Sequence, residues 1–146
     1  MSEPDREVQE FATRLFGLAR AGDTEQLAAY VDAGVNADLC NQNGDTLLML
    51  AAYNGHSRTV QALLARGADP DRVNDRGQSP LAGAVFKGEA DVIRALIAAG
   101  ADPEAGQPTA RATAVMFERD DLAALMSGAE PGSDSNSPRN RSVGGD

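Results

Sequence analysis

The sequence predicts an all-α fold, a solenoid of stacked helix–turn–helix units, and two observations carry that expectation. The first is a repeat. Asn41-Gln-Asn-Gly44 returns as Asn74-Asp-Arg-Gly77, Asn54-Gly55 as Lys87-Gly88, and Gly67-Ala-Asp-Pro70 as Gly100-Ala-Asp-Pro103, each pair 33 residues apart. Apolar positions keep the same step: Leu48 with Leu81, Ala51 with Ala84, Val60 with Ile93, Leu63 with Leu96, Leu64 with Ile97. A fixed period of this length marks an array in which each unit stacks on the next. The second observation is composition. Aromatic residues make up 4% of the chain and tryptophan is absent, while alanine and leucine dominate the apolar set. Alanine favours close helix packing, whereas strands favour β-branched and aromatic residues.

Residues 1–7 are expected to form a polar N-terminal segment, with Ser2 and Asp5 as a weak capping pair. Helical spacing begins at Val8 and continues through Phe11, Leu15 and Leu18 on one face. One period back from the central pair, Thr13 aligns with Thr46, Leu15 with Leu48, Gly22 with Gly55 and Gly34 with Gly67. The repeat domain is therefore placed at 8–127, with units at about 8–40, 41–73 and 74–106 and a shortened C-terminal cap at 107–127. In each full unit a first helix of about ten residues ends at Gly22, Gly55 or Gly88. A second helix ends at Gly34, Gly67 or Gly100, because glycine tolerates the left-handed turn that stops a helix sharply. Stretches rich in Asp, Asn, Pro and Gly join the units with the chemistry of tight turns. Thr46 and Ser79 are expected N-caps, and Pro80 suits the first helical position, where a missing N–H is harmless. In the cap, Ala114-Val-Met-Phe echoes Ala84-Val-Phe-Lys, but Glu118 to Asp121 stand where the inner glycine would be. Residues 128–146 hold one sizeable apolar residue, Val143, and are expected to stay disordered; Asn140-Arg-Ser142 there matches a glycosylation acceptor only by accident.

The net charge of −9 argues against general electrostatic binding to nucleic acid or anionic membranes. A single cysteine, Cys40, rules out an internal disulfide framework and a multi-cysteine zinc site. The start has neither a basic nor an apolar leader segment, and no apolar run approaches the roughly 20 residues of a membrane span. The expectation is a soluble, cytoplasmic protein, monomeric when free.

The pattern from Asn41 to Pro70, with Gly44, Thr46, Leu48, Ala51-Ala52, Gly55-His56, Val60, Leu63-Leu64 and Gly67-Ala-Asp69, resembles the ankyrin repeat. The third unit repeats it through Gly77, Ser79-Pro80-Leu81, Ala84, Gly88 and Gly100-Ala-Asp102. The resemblance implies an all-α solenoid of ankyrin-like repeats joined by β-hairpin-like turns, and noncatalytic binding of a partner protein on the concave side. It departs from the family at Met49 and Ala82, which replace the histidine of the Thr-Pro-Leu-His tetrapeptide. Gly17 and Gly83 interrupt first helices, and close approach between repeats is the expected reason.

Candidate chemistry is thin. His56, the only histidine, starts a second helix and has no evident partner for base or ligand work. Cys40 lies in a turn far from any catalytic pattern. Asp69-Pro-Asp71 through Gly77 fails as a calcium loop, since Val73 and Asn74 occupy its fifth and sixth positions. No phosphate loop, nucleophile elbow or zinc spacing appears, so no cofactor, metal or catalytic residue is assigned. By resemblance, the positions free to vary face the concave side: Arg20, Gln42, Asn43, Asp45, Tyr53 and Asn54, then Asp75, Arg76, Gln78, Phe86 and Lys87. Tyr53 and Phe86 hold equivalent positions, and aromatic residues and arginine recur at interface hot spots. The leading expectation is a protein-interaction module acting as a regulator or adaptor. A permanent structural subunit is the second reading, and a small enzyme using Cys40 or His56 a remote third.

Overall fold

Apolar residues recurring at helical spacing give each unit two helices with one face to bury. The computed structural model describes residues 3–127; the expected tail at 128–146 and Ser2 of the expected capping pair lie outside the described residues. Helices α1 (Glu3–Ala21) and α2 (Thr24–Asp32) form the first unit, α3 (Leu47–Tyr53) and α4 (Ser57–Ala65) the second. The third holds α5 (Pro80–Lys87) and α6 (Ala90–Ala98), the fourth α7 (Ala110–Met116) and α8 (Asp120–Met126). Helices α1, α3, α5 and α7 pack in succession as one layer, and α2, α4, α6 and α8 as the other.

The core lies between units. Leu48, Ala51, Leu81, Ala84 and Ala114 are buried where the first-layer helices meet. Val60, Leu63, Ile93, Leu96 and Leu122 are buried where the second layer stacks beneath them. Each large aliphatic side chain contributes about 1.5–3 kcal/mol by leaving water. Alanines 51, 84 and 114, each at most 1% exposed, set how closely neighbouring helices approach, and a bulkier residue there would overpack the seam.

Helices α3, α5 and α7 begin on a hydroxyl cap. Thr46 Oγ1 accepts from Met49 N at 3.0 Å, Ser79 Oγ from Ala82 N at 3.0 Å, and Thr109 Oγ1 from Ala112 N at 2.9 Å. These helices are shorter than the spacing suggested: α3 has 7 residues and α5 has 8. Helix α1 is longer, with 19 residues, because helical structure begins at Glu3, ahead of the apolar spacing. Asp5 and Glu7 lie near its start, where negative charge opposes the positive end of the helix dipole.

Between the two helices of a unit, the chain turns in a space that the next unit fills. Gly22 has φ +75°, and a Cβ built on it would sit 2.5 Å from Nδ1 of His56. The His56 ring lies over that glycine, and its Nε2–H donates to the Arg20 carbonyl at 2.7 Å. His56 thus ties the end of α1 to the start of α4. In the fourth unit the corresponding residue is Glu118, which adopts φ 55° without glycine's freedom; a left-handed residue with a side chain costs roughly 1–2 kcal/mol. The following residue, Arg119, forks onto the Asp121 carboxylate at 3.1 and 3.0 Å. That hydrogen bond holds Asp121 below its ordinary carboxylate pKa and raises Arg119 above its own. Its small surface contribution is therefore present above the ordinary Asp range and fades as pH falls through the lowered value.

Polar stitches fix the register between units. Asp38 Oδ1 accepts from Asp69 N, and Asp71 Oδ1 from Asp102 N, both at 2.8 Å. The Asp-Pro-Asp spelling is thereby accounted for: Asp69 caps its own turn, accepting from Asp71 N, and Asp71 reaches the next unit. The connecting turns are hairpin-like. Cys40 and Thr46 form an isolated antiparallel bridge, and Asn41 N donates to Asp45 O at 3.0 Å.

The two interrupting glycines have different surroundings. A Cβ on Gly83 would meet Cδ1 of Tyr53 at 3.4 Å, whereas one on Gly17 would meet nothing within 4 Å. Close approach does not explain Gly17, because residue 17 faces solvent. Gly17→Ala is accordingly expected to raise stability by about 0.5–1 kcal/mol through helix propensity alone. Glu118→Gly should add about 1 kcal/mol by relieving the left-handed residue. Gly22→Ala should instead lose about 2 kcal/mol or more, since its Cβ meets the His56 ring. Urea midpoints at unchanged m-value check all three.

Candidate functional site

Short helices aligned in one layer present equivalent positions side by side. Tyr53 near the end of α3 and Phe86 near the end of α5 are 33 residues apart, and Met116 at the end of α7 follows 30 residues later. The cap is shorter by three residues, so its column position is Met116. Together with Met49, Ala82, Gly83, Thr113, Phe117 and Pro108, these residues line a groove of about 390 Å³. Arg76 and Gln78 form its wall on the hairpin side.

The groove is apolar and open. Tyr53 is 40%, Phe86 56%, Met116 62% and Phe117 51% exposed. The rings are held by one another: Phe86 and Phe117 meet edge to face, with centroids 5.5 Å apart and planes at 72°. Lys87 Nζ stands 4.8 Å from the Tyr53 ring centroid, within cation–π range. Gly83 leaves the floor beneath Tyr53 without a side chain. Among the described residues, Arg76 is the only charged one in the lining.

The sequence-predicted positions divide sharply. Tyr53, Arg76, Gln78 and Phe86 come together in the groove, with Lys87 against Tyr53 at its edge. Gln42 and Asn43 sit on the first hairpin tip, where the Asn43 carbonyl accepts from Asp75 N at 3.0 Å. Asp45 Oδ1 accepts from Asn74 Nδ2 at 2.8 Å, and Asn54 Nδ2 donates to the Leu50 carbonyl at 2.7 Å. Those two side chains serve the fold. The Asp75 carboxylate lies against Gly44 of the preceding tip. Arg20 stands on α1, outside the groove lining.

The pin between the tips is Asn74, 5% exposed. Its Nδ2 donates to Asp45 Oδ1 and to Gln78 Oε1 at 2.9 Å, while its Oδ1 accepts from Arg76 N and Gln78 N at 2.9 and 3.0 Å. Asn41 Oδ1 likewise accepts from Asn43 N and Asp45 N in its own tip. Asn74 thereby sets the backbone that carries Arg76 and Gln78 into the groove wall. Sequence reasoning missed Met116 and Phe117 as lining residues. The signal was there, since the echo of Ala84-Val-Phe-Lys in Ala114-Val-Met-Phe puts Met116 in register with Phe86.

Cys40 is a half-buried free thiol in the hairpin bridge, with Arg72 Nη2 4.0 Å from its sulfur. Among the described residues, no group of three His, Cys, Asp or Glu side chains is placed to hold a metal ion. No described helix is long and apolar enough to cross a membrane.

Paired short helices, hairpin-like tips and a groove along one layer define a stacked helical-repeat protein. The family model for ankyrin repeats, in three copies, matches residues 15–107, well over half of the chain. The chain belongs to the ankyrin repeat family. It is also similar to a Pseudomonas aeruginosa protein named for ankyrin repeats, with 48% identity over 59 residues. That stretch is 40% of this chain and 34% of the relative, so the chain spans about a third of the relative's length. Ankyrin repeats in general are protein–protein interaction modules.

Asn74→Ala is expected to cost about 1–3 kcal/mol, because two part-buried backbone N–H groups and two side-chain acceptors lose their partner. Gln78→Ala, which removes a single acceptor at an exposed position, should cost well under half as much. Denaturant midpoints of the two variants decide the comparison.

Proposed function

We propose that this protein recognises a partner protein noncatalytically through the groove formed by α3, α5, α7 and the hairpin tips, as a regulator or adaptor. The observation that carries this reading is the column Tyr53–Phe86–Met116, extended by Phe117. Large apolar side chains are kept half exposed along one line, where a polar residue would be easier to solvate. Single exposed hydrophobic residues are ordinary on protein surfaces, but a contiguous row with a concave shape marks a binding groove. Rings there add contact area with little rotamer entropy to lose, which suits an interface centre. Arg76 and Lys87 add polar specificity at the margin, and Gln42, Asn43 and Asp75 form a polar rim on the tips. Arg20, Asp45 and Asn54 contribute little in this reading, since one is outside the groove and two are engaged internally.

Both hot-spot rings can be truncated without touching the core. The Tyr53→Ala/Phe86→Ala double variant is expected to keep its helical circular dichroism. In an affinity pull-down it should recover specific partners at least tenfold less than the native chain, the scale of losing a hot-spot pair. Equal recovery by both proteins would remove the groove from consideration.

A further inference from the structure

We infer that the groove selects an acidic, hydrophobic peptide segment, one in which a bulky apolar side chain is followed closely by a carboxylate. This deepens the proposed function and rests on the groove being the binding surface. Charge complementarity points to such a ligand. The protein carries a net charge of −9, yet among the described residues no acid lines the groove, and its one charged lining residue is Arg76. Among the described residues, the Arg76 guanidinium makes no hydrogen bond or ion pair; only its backbone N–H is engaged, with Asn74 Oδ1. Among the described residues, neither acid of the two hairpin tips forms an ion pair with Arg76. Asp45 receives the Asn74 amide, and the Asp75 carboxylate lies against Gly44 of the neighbouring tip. Lys87 adds a second positive charge over the Tyr53 ring.

An unpaired guanidinium beside apolar rings favours a ligand that offers both surfaces at once. The apolar side chain would pack among Phe86, Met116 and Phe117, and the carboxylate would take the planar donors of Arg76. A basic segment is disfavoured by like charge, and a purely apolar one leaves the guanidinium without an anionic partner.

The test uses fluorescein-labelled decapeptides with a central Leu-Phe pair flanked by Asp and Glu, alongside versions with Asn and Gln or with Lys in their place. Fluorescence anisotropy with the full chain is expected to rank acidic over neutral over basic, with acidic binding about tenfold tighter than neutral. The preference should shrink as salt is raised. Arg76→Glu, at an exposed tip position, should fold normally and reverse the ranking, while Phe86→Ala should weaken every peptide. If Arg76→Glu leaves the ranking unchanged but Phe86→Ala still weakens binding, the pairing of the ligand carboxylate with Arg76 is overturned and the groove reading stands. If neither substitution alters binding, the groove reading falls with it. A native ranking that favours the neutral or basic peptides overturns the inference directly.

Discussion

Each helix pair in this chain depends on its neighbour to cover its apolar face, and the rest of the structure follows from that dependence. Leu48, Leu81, Val60 and Ile93 are buried because another unit lies against them. Such stability is a sum of nearest-neighbour interfaces. It requires the same residue types at the same step, which is why the repeated letters belong to the core. Apolar burial has no direction of its own. Register has to come from polar groups: the Asp38 and Asp71 carboxylates on the next unit's backbone, the Asn74 pin, and the His56 ring bonded to α1.

Among the described residues, the first and last units each pack on one neighbouring unit. At the start, Phe11 packs edge to face on Tyr30 at 5.2 Å, closing the first helix pair with its own aromatic contact. At the other end, Leu122, Leu125 and Met126 are buried against the preceding unit. There the chain drops three residues and accepts a left-handed Glu118. Strain of that kind persists where surrounding contacts determine the backbone. Here the carbonyl of Ala114 holds Arg119 N at 2.8 Å, directly after the strained residue.

Much of this was legible in the residues because repetition acts as an internal control. Thr46 and Ser79 read as caps since each opens an apolar run at the same place in its unit. Gly55 and Gly88 read as turns for the same reason. Legibility failed where the control failed. A Cβ on Gly17 would meet nothing within 4 Å, so its likeness to Gly83 was misleading. Asp45 and Asn54 resemble binding residues because a side chain that varies between units looks free in sequence. In space one accepts from Asn74 and the other closes α3. Met116 and Phe117 were hidden by the shift from a 33-residue to a 30-residue step, which moves their register without changing their letters.

The shortened step also explains why the apolar surface gathers near the C-terminal end. Across the first joint, the Lys87 ammonium stands over the Tyr53 ring, a polar neighbour that lets a ring remain in water. Across the second, the residue in register with Lys87 is Phe117, so Phe86 meets a second ring and no charge. The stack thus moves from a ring shielded by a cation to a pair of rings that shield only each other. Val115, 71% exposed beside them, is unremarkable alone. The row that matters is the one formed by Phe86, Met116 and Phe117. A terminal unit that served only to cap would turn polar residues outward. This one continues the column of the units before it, so capping alone does not account for its sequence.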